Sequence, residues 1–274
     1  MGLMDEIKRE AEGVRVKIQS TEDERLEQKL NELFYLDKDI EKETAFIRNV
    51  MTRGQESAER KGLHASAIIA TDDKFCYRQQ VLSLFYKQKQ GEQINERLRR
   101  IFAEGDAVHE KWQRLFIRGG YSEPDDLDVT QFCRDYDLQY TPDILCEIDE
   151  EKMVGEIKSM NTYAFQKMVK TVSPHPSGEK QLQLYLWLTG RRKGFTLCED
   201  KNTQEIRVKV VKADISTITP FINRLENIQY YKERLQERGK LVKRHKNCSG
   251  YSCKMAEQCP MREVCYKKSK ELLN

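Results

Sequence analysis

No run of apolar residues in this 274-residue chain comes near the roughly 18 to 20 needed to cross a bilayer as a helix. Nor does the opening segment MGLMDEIKRE hold the apolar stretch of a secretory signal. A membrane partner is therefore not expected. The expectation is a soluble, cytoplasmic protein of a bacterium, or of a host cell if a phage encodes it. Internal repeats and low-complexity segments are also missing, so neither a solenoid nor a compositionally biased linker organises the chain. Charge of one sign is in little excess, 48 Lys and Arg facing 45 Asp and Glu.

What is present is 34% charged residues beside 38% apolar ones, a balance that gives a folded protein with a very polar surface and not a disordered one. The length allows one generous domain or a domain with appendages, because single cores run to about 250 residues before splitting. The small net charge of +3 is unevenly spread: residues 1–60 carry 11 basic against 15 acidic groups, and residues 221–274 carry 13 against 6. Two readings fit the basic C-terminal end. It is a surface for a polyanion such as nucleic acid, whose neutralised phosphates release counterions, or its Lys and Arg only solvate a helix face. In a reducing compartment, clustering among the 8 cysteines points to a metal or cluster site more than to disulfides.

From Leu26, the apolar residues Leu30, Leu33, Ile40, Ile47 and Met51 follow steps of three and four, with polar Asp37 and Thr44 at two seam positions. The spacing predicts a long helix or helical hairpin, either an arm packed on the main domain or a coiled coil that binds a partner or itself. Between Lys74 and Ile117 two helical blocks are predicted. Val81, Leu82, Leu84 and Phe85 mark the first; Ile94, Leu98, Ile101, Phe102 and Val108 mark the second, with Gly91 as the break. After Gly119 and Gly120, SEPDDLDVT is turn-rich, and strands are predicted at 144–148, 153–157, 194–197 and 206–211. Helices are predicted over 161–171, over 179–189 and from about residue 218 to 244.

The segment TPDILCEIDEEKMVGEIKSM carries the chemistry. Asp143 opens one predicted strand, Glu156 and Lys158 close the next, and Asp149, Glu150 and Glu151 form the turn between them. Alternate residues project from one face of a strand, so antiparallel pairing brings Asp143 beside Glu156 and Lys158. Two hard carboxylates suit Mg2+ or Mn2+, which stabilises charge on a phosphate and lowers the pKa of an attacking water. Lys158 then orients that water or stabilises the developing negative charge. A solvated Glu and Lys on a strand surface is the competing meaning.

With its flanks, this segment resembles the PD-(D/E)XK nuclease superfamily, in particular the RecB and AddB nuclease domains and the CRISPR-associated iron-sulfur exonucleases. Gly105-x-x-x-His109 precedes the Asp strand and Gln181-x-x-x-Tyr185 follows the Glu-x-Lys strand, in the order that superfamily keeps. The resemblance implies an α/β (α+β), restriction-endonuclease-like fold with a mixed central sheet flanked by helices. It also implies His109 and the backbone carbonyl of Ile157 as metal ligands beside Asp143 and Glu156, with Gln181 and Tyr185 positioning the DNA. GRRKGFTLCEDKNTQEIRVKVV, read as two strands joined by a polar turn, completes the sheet, and the likeness spans roughly residues 64–265.

Four cysteines crowd the tail NCSGYSCKMAEQCPMREVC, whereas Cys133, Cys146 and Cys198 fit small buried positions. Close thiolates select zinc or an iron-sulfur cluster. The resemblance favours a [4Fe-4S] cluster held by one upstream and three tail cysteines, with Cys76, followed two residues on by Arg78, as the upstream one. The tail gaps of four, five and five residues depart from the family's two and five. The retained five-residue gap keeps Cys259 and Cys265 and favours Cys253 over Cys248 as the remaining ligand; a zinc site made of the four tail cysteines is the alternative.

The expected layout is a helical, coiled-coil-like arm over residues 1–60, a nuclease domain over 61–246 and a Cys-rich tail over 247–274 that closes the cluster with Cys76. The expected function is a Mg2+- or Mn2+-dependent DNA exonuclease acting on single strands or duplex ends, in recombination, repair, replication or phage DNA processing. A helicase or recombination partner would dock on the arm. The alternative is a non-catalytic nucleic-acid-binding module with structural zinc.

Overall fold

The computed structural model describes residues 21–56, 62–87, 95–170 and 176–266. The expected break at Gly91, Ile94 and the Met51 side chain lie outside the described residues.

The main sheet grows from the segment with the densest apolar alternation. β4 (Ile144–Ile148) and β5 (Glu151–Met160) form an antiparallel hairpin whose turn, Asp149 and Glu150, takes the left-handed φ values of 52° and 64°. Positive φ at both central residues matches the right-handed twist of the strands. Lys29 and Arg25 hold the Asp149 carboxylate from outside, and the Lys29 hydrogen bond keeps it below the usual aspartate range. β6 (Lys193–Asp200) joins β5 in parallel and β7 (Ile206–Lys212) closes the sheet antiparallel, giving the order β4-β5-β6-β7. Gly194 is required where β6 meets β5, since a Cβ there would lie 2.5 Å from the Val154 carbonyl oxygen.

A smaller sheet, ordered β1-β3-β2, is made of β1 (Leu63–His64), β2 (Gln131–Cys133) and β3 (Leu138–Tyr140). Strands of two or three residues carry no alternation to read, and none of them was expected from the sequence.

The helices in chain order are α1 (Thr21–Glu32), α2 (Ile40–Glu56), α3 (Ala65–Ile68), α4 (Tyr77–Phe85), α5 (Glu96–Arg118), α6 (Thr162–Lys170), α7 (Pro176–Thr189), α8 (Ile215–Arg238), α9 (Lys254–Glu257) and α10 (Arg262–Tyr266). Strand alternation sorts them into layers. Ile144, Met153, Ile157, Phe195 and Leu197 face Trp112 and Phe116 of α5, while Leu145, Val154 and Val211 face Leu182 and Leu186 of α7 and Phe221 and Leu225 of α8. The result is a mixed sheet flanked by helices on both faces, the α/β class expected. No helix among the described residues is long and apolar enough to cross a membrane.

The N-terminal seam breaks after a 3-10 turn (Leu33–Tyr35), making two helices and not one long one. Leu26, Leu30, Leu33 and Phe46 are buried in the same cluster as Trp112 and Phe195, whereas Ile40, counted in the seam, is 75% exposed. Asp23 and Glu27 of α1 accept the Val210 and Val208 amides of edge strand β7 at 2.6 and 3.2 Å, covering an edge that would otherwise template pairing.

The last long helix stops at Arg238, six residues before the expected end. Gly239 takes φ 61°, and its amide and that of Lys240 bond back to Leu235 and Arg234, a left-handed C-terminal cap. The tail then docks on α4, with Met261 and Cys265 against Leu82 and Arg78 donating to Val242 O at 3.0 Å.

Because Leu30 is fully buried in the sheet's own cluster, we expect Leu30→Ala to lower unfolding stability by about 2–5 kcal/mol in denaturant titration. A loss below about 0.5 kcal/mol would mean that α1 is an appendage with its own separate stability.

Candidate active site

Ile144 pairs with Gly155, so the hairpin register sets Asp143 beside Glu156. The Ile157 amide donates to Asp143 Oδ2 at 2.7 Å, which fixes the carboxylate on the neighbouring strand. Glu156 and Lys158 share a strand face, and Lys158 Nζ donates to Glu156 Oε1. Helix α5 brings His109 from the opposite layer, its Nδ1 3.4 Å from Asp143 Oδ1. One turn on, Gln113 donates to the Asp143 main-chain carbonyl at 2.9 Å. The three residues predicted from the strand pattern thus converge, and His109 joins them.

Gln181 and Tyr185, one turn apart on α7, are linked by a 2.8 Å hydrogen bond from the Gln181 amide to the phenol oxygen. Burial, and then the negative charge of Glu156 and Asp143, push the Tyr185 phenol far above its ordinary range, so it stays protonated and able to donate.

The two carboxyls respond differently to burial. Glu156 is fully buried, and burial followed by repulsion from Asp143 raises its carboxyl to about 8. Burial works against ionising Asp143 too, but the hydrogen bond and charge of His109, with Lys158 and the Ile157 amide, hold it below the usual range. For His109 and Lys158, burial disfavours the cation, and the facing carboxylates outweigh it, raising both. Glu156 Oε2 is buried and has no hydrogen-bond partner among the described residues.

That orphaned oxygen, beside the ionised Asp143 carboxylate, fits a hard divalent cation. Among the described residues, no three His, Cys, Asp or Glu side chains are arranged to enclose a metal by themselves. A cation here would therefore complete its shell with carbonyl oxygen, water or a phosphate.

A second buried carboxylate, Glu199 on β6, is fully paired: Lys111 Nζ and Trp112 Nε1 each donate to it at 2.6 Å. This pairing and Gln113 were not singled out in the sequence, which offers no local pattern for contacts some 30 to 90 positions apart.

None of the eight cysteines, all among the described residues, is in a disulfide. Cys76, Cys248, Cys259 and Cys265 line one small cavity with Met255 and Arg262. Arg78 Nε donates to Cys265 Sγ at 3.2 Å, Tyr266 OH lies 3.2 Å from Cys248 Sγ, and Cys259 Sγ donates to Gln79 at 3.6 Å. Cys253, the tail ligand favoured from spacing, does not line that cavity. It caps α9, accepting the Ala256 amide at 3.4 Å, and main-chain amides draw its thiol down to about 7. Burial pushes Cys259 up to about 11.

No sequence-family profile matches the chain, and no curated protein sequence matches it. Solved structures similar in fold include LHK-Exo in complex with dAMP, at 17% identity over 65% of this chain and 93% of that one, with a TM-score of 0.48. LHK-Exo from Laribacter hongkongensis, an alkaline exonuclease, matches at 18% identity over 67% and 95%, with a TM-score of 0.44. SSO0001 matches at 14% identity over 82% and 96%, with a TM-score of 0.42. At such identities and scores these likenesses carry no argument about chemistry, and what the site does rests on its own geometry.

A carboxyl whose folded-state pKa lies above its unfolded value contributes stability that is present at low pH and lost as pH rises through the folded value, here about 8. In chelator, we expect Glu156→Gln to leave melting nearly unchanged at pH 5 and to raise it at pH 9, by about 2–4 °C per kcal/mol relieved. A variant that melts lower than the parent at pH 9 would contradict a buried carboxyl whose ionisation costs stability.

Proposed function

We propose that the chain is a divalent-metal-dependent DNA exonuclease that hydrolyses phosphodiester bonds at DNA ends or in single strands. The observation that carries this is the unpartnered, fully buried Glu156 Oε2 beside Asp143. A buried carboxyl oxygen left without a partner is costly in a folded core, and a site that invites a cation needs a reason to be kept.

Asp143 and Glu156 would hold Mg2+ or Mn2+, with His109 and the Ile157 carbonyl as the further ligands. Bound there, the cation supplies charge neutralisation at a phosphate and a more acidic water. Lys158 is held as an ammonium by Glu156 and Asp143, so its role is to orient the attacking water and stabilise charge developing on phosphate oxygens, and not to abstract a proton. Gln181 and Tyr185 present an amide and a protonated phenol; these position the sugar-phosphate strand. The order of Gly105-x-x-x-His109, Asp143, Glu156-x-Lys158 and Gln181-x-x-x-Tyr185 supports a RecB- or AddB-like nuclease, serving recombination, repair, replication or phage DNA processing.

The finer reading includes a structural iron-sulfur cluster near the tail. Soft thiolates suit it, and a cavity shared by upstream Cys76 and three tail thiols favours a cluster bridging α4 and the tail over a zinc ion held by the tail alone. The ligand set then contains Cys248, with Cys253 left as a helix cap. A helicase or recombination partner on the N-terminal arm belongs to the same reading.

Glu156→Ala and Lys158→Ala should each reduce Mn2+-dependent degradation of end-labelled DNA by about 10²–10³-fold or more while DNA affinity and melting stay near the parent's. Metal-dependent cutting retained by both would end the proposal, leaving a non-catalytic binding module. For the tail, anaerobically purified Cys248→Ser should lose most of its iron and brown colour and Cys253→Ser should keep them; zinc in place of iron, or the reverse order, would contradict the cluster or its ligands.

A further inference from the structure

Helix α5 does more than deliver His109. Gly105 lies against Ser159, the last residue but one of β5, with its Cβ position 3.5 Å from Ser159 Oγ. The two turns before Gly105 therefore run on past the end of the strand. Successive helix residues are rotated by about 100°, so Leu98, Ile101, Phe102, Gly105, His109 and Trp112 fall on one stripe. Its inner part is buried, Trp112 completely, and His109 meets Asp143 at 3.4 Å. Its outer part is more open: Leu98, Ile101 and Phe102 are 41, 42 and 53% exposed.

Single exposed apolar residues need no explanation, but three on one helix face within residues 98–102, in line with His109, do. Arg97 and Arg99 flank the stripe on either side, while Glu96 and Arg100 pair with each other at 3.9 Å on the opposite face. The stripe also begins at the helix N-terminus, where the partial charge is positive. An apolar ridge with an aromatic ring between two guanidinium groups matches one partner in particular. Nucleobases stack on such a ridge while the phosphates on either side meet the cations.

We infer that Leu98, Ile101 and Phe102 form a base-stacking guide that leads a single DNA strand along α5 to the carboxylates, with Arg97 and Arg99 tracking its backbone. This rests on the nuclease reading and specifies its substrate as an unpaired strand.

The test separates this inference from the nuclease reading by measuring binding and hydrolysis independently. In chelator, a labelled single-stranded oligonucleotide and an abasic oligonucleotide of equal length are titrated with the parent, Phe102→Ala and the triple variant Leu98→Ser/Ile101→Ser/Phe102→Ser. In Mn2+, the same proteins are assayed on bis(4-nitrophenyl) phosphate, which is too small to reach the ridge. We expect the Phe102 variant to bind the base-bearing strand roughly tenfold more weakly and the triple variant more weakly still. Abasic-strand binding and small-ester hydrolysis should hold at the parent level. Arg97→Gln/Arg99→Gln should weaken both strands alike and flatten the salt dependence. Equal loss on base-bearing and abasic strands, or no loss, would overturn the guide, as would a drop of several degrees in melting for the triple variant, since the ridge would then be covered by residues of this chain. If the parent hydrolyses neither DNA nor the small ester, the nuclease reading fails on its own while the binding titrations still decide the ridge.

Discussion

One oxygen atom sets the terms for the rest of the site. Glu156 is fully buried on the second strand of the sheet; its Oε1 is met by Lys158 and its Oε2 by nothing. Asp143 sits one strand away with its own charge held on by His109 and the Ile157 amide. What the ammonium of Lys158 and the imidazole of His109 leave open is one buried carboxyl oxygen, which meets no hydrogen-bond partner among the described residues. The contrast with Glu199 on the adjoining strand is instructive. That carboxylate is as deeply buried, and Lys111 and Trp112 satisfy both of its oxygens. The same environment therefore yields a structural ion pair in one case and a site poised for a cation in the other.

The fold keeps that charge in place by enclosing it between layers. β5 is central and runs parallel to β6, so its residues are buried on both faces. His109 comes from one layer of helices, Gln181 and Tyr185 from the other, and Gln113 fixes the main chain at Asp143. Residues 21–56 contribute more than an extension: Asp23 and Glu27 satisfy the outer amides of β7, and Lys29 with Arg25 holds the hairpin turn whose register puts Asp143 opposite Glu156. At the far side, the tail closes over α4 through Met261, Cys265 and Arg78.

The parts of this arrangement that are local in sequence were legible in it. A turn of two residues between alternating strands dictates that Asp143, Glu156 and Lys158 meet, and the four strands of the main sheet could be read from their apolar alternation. His109, Gln181 and Tyr185 came from motif order and fall at the same end of the sheet. What escaped has physical reasons. The strands of the small sheet are too short to show a period. Gln113 and the Glu199 pairing depend on tertiary contacts with no local signature. Gly239 does announce the end of α8, yet the helical pattern beyond it was given more weight. Ile40 shows that an apolar residue in heptad step need not be buried when it opens a helix after a break.

The most direct test of the account is anomalous diffraction at the manganese edge from crystals of the protein grown with Mn2+. The account places a manganese peak between the Asp143 carboxylate and Glu156 Oε2, lost in crystals of Glu156→Gln. Well-ordered density for both carboxylates with no manganese between them, or manganese bound only elsewhere on the chain, would contradict it.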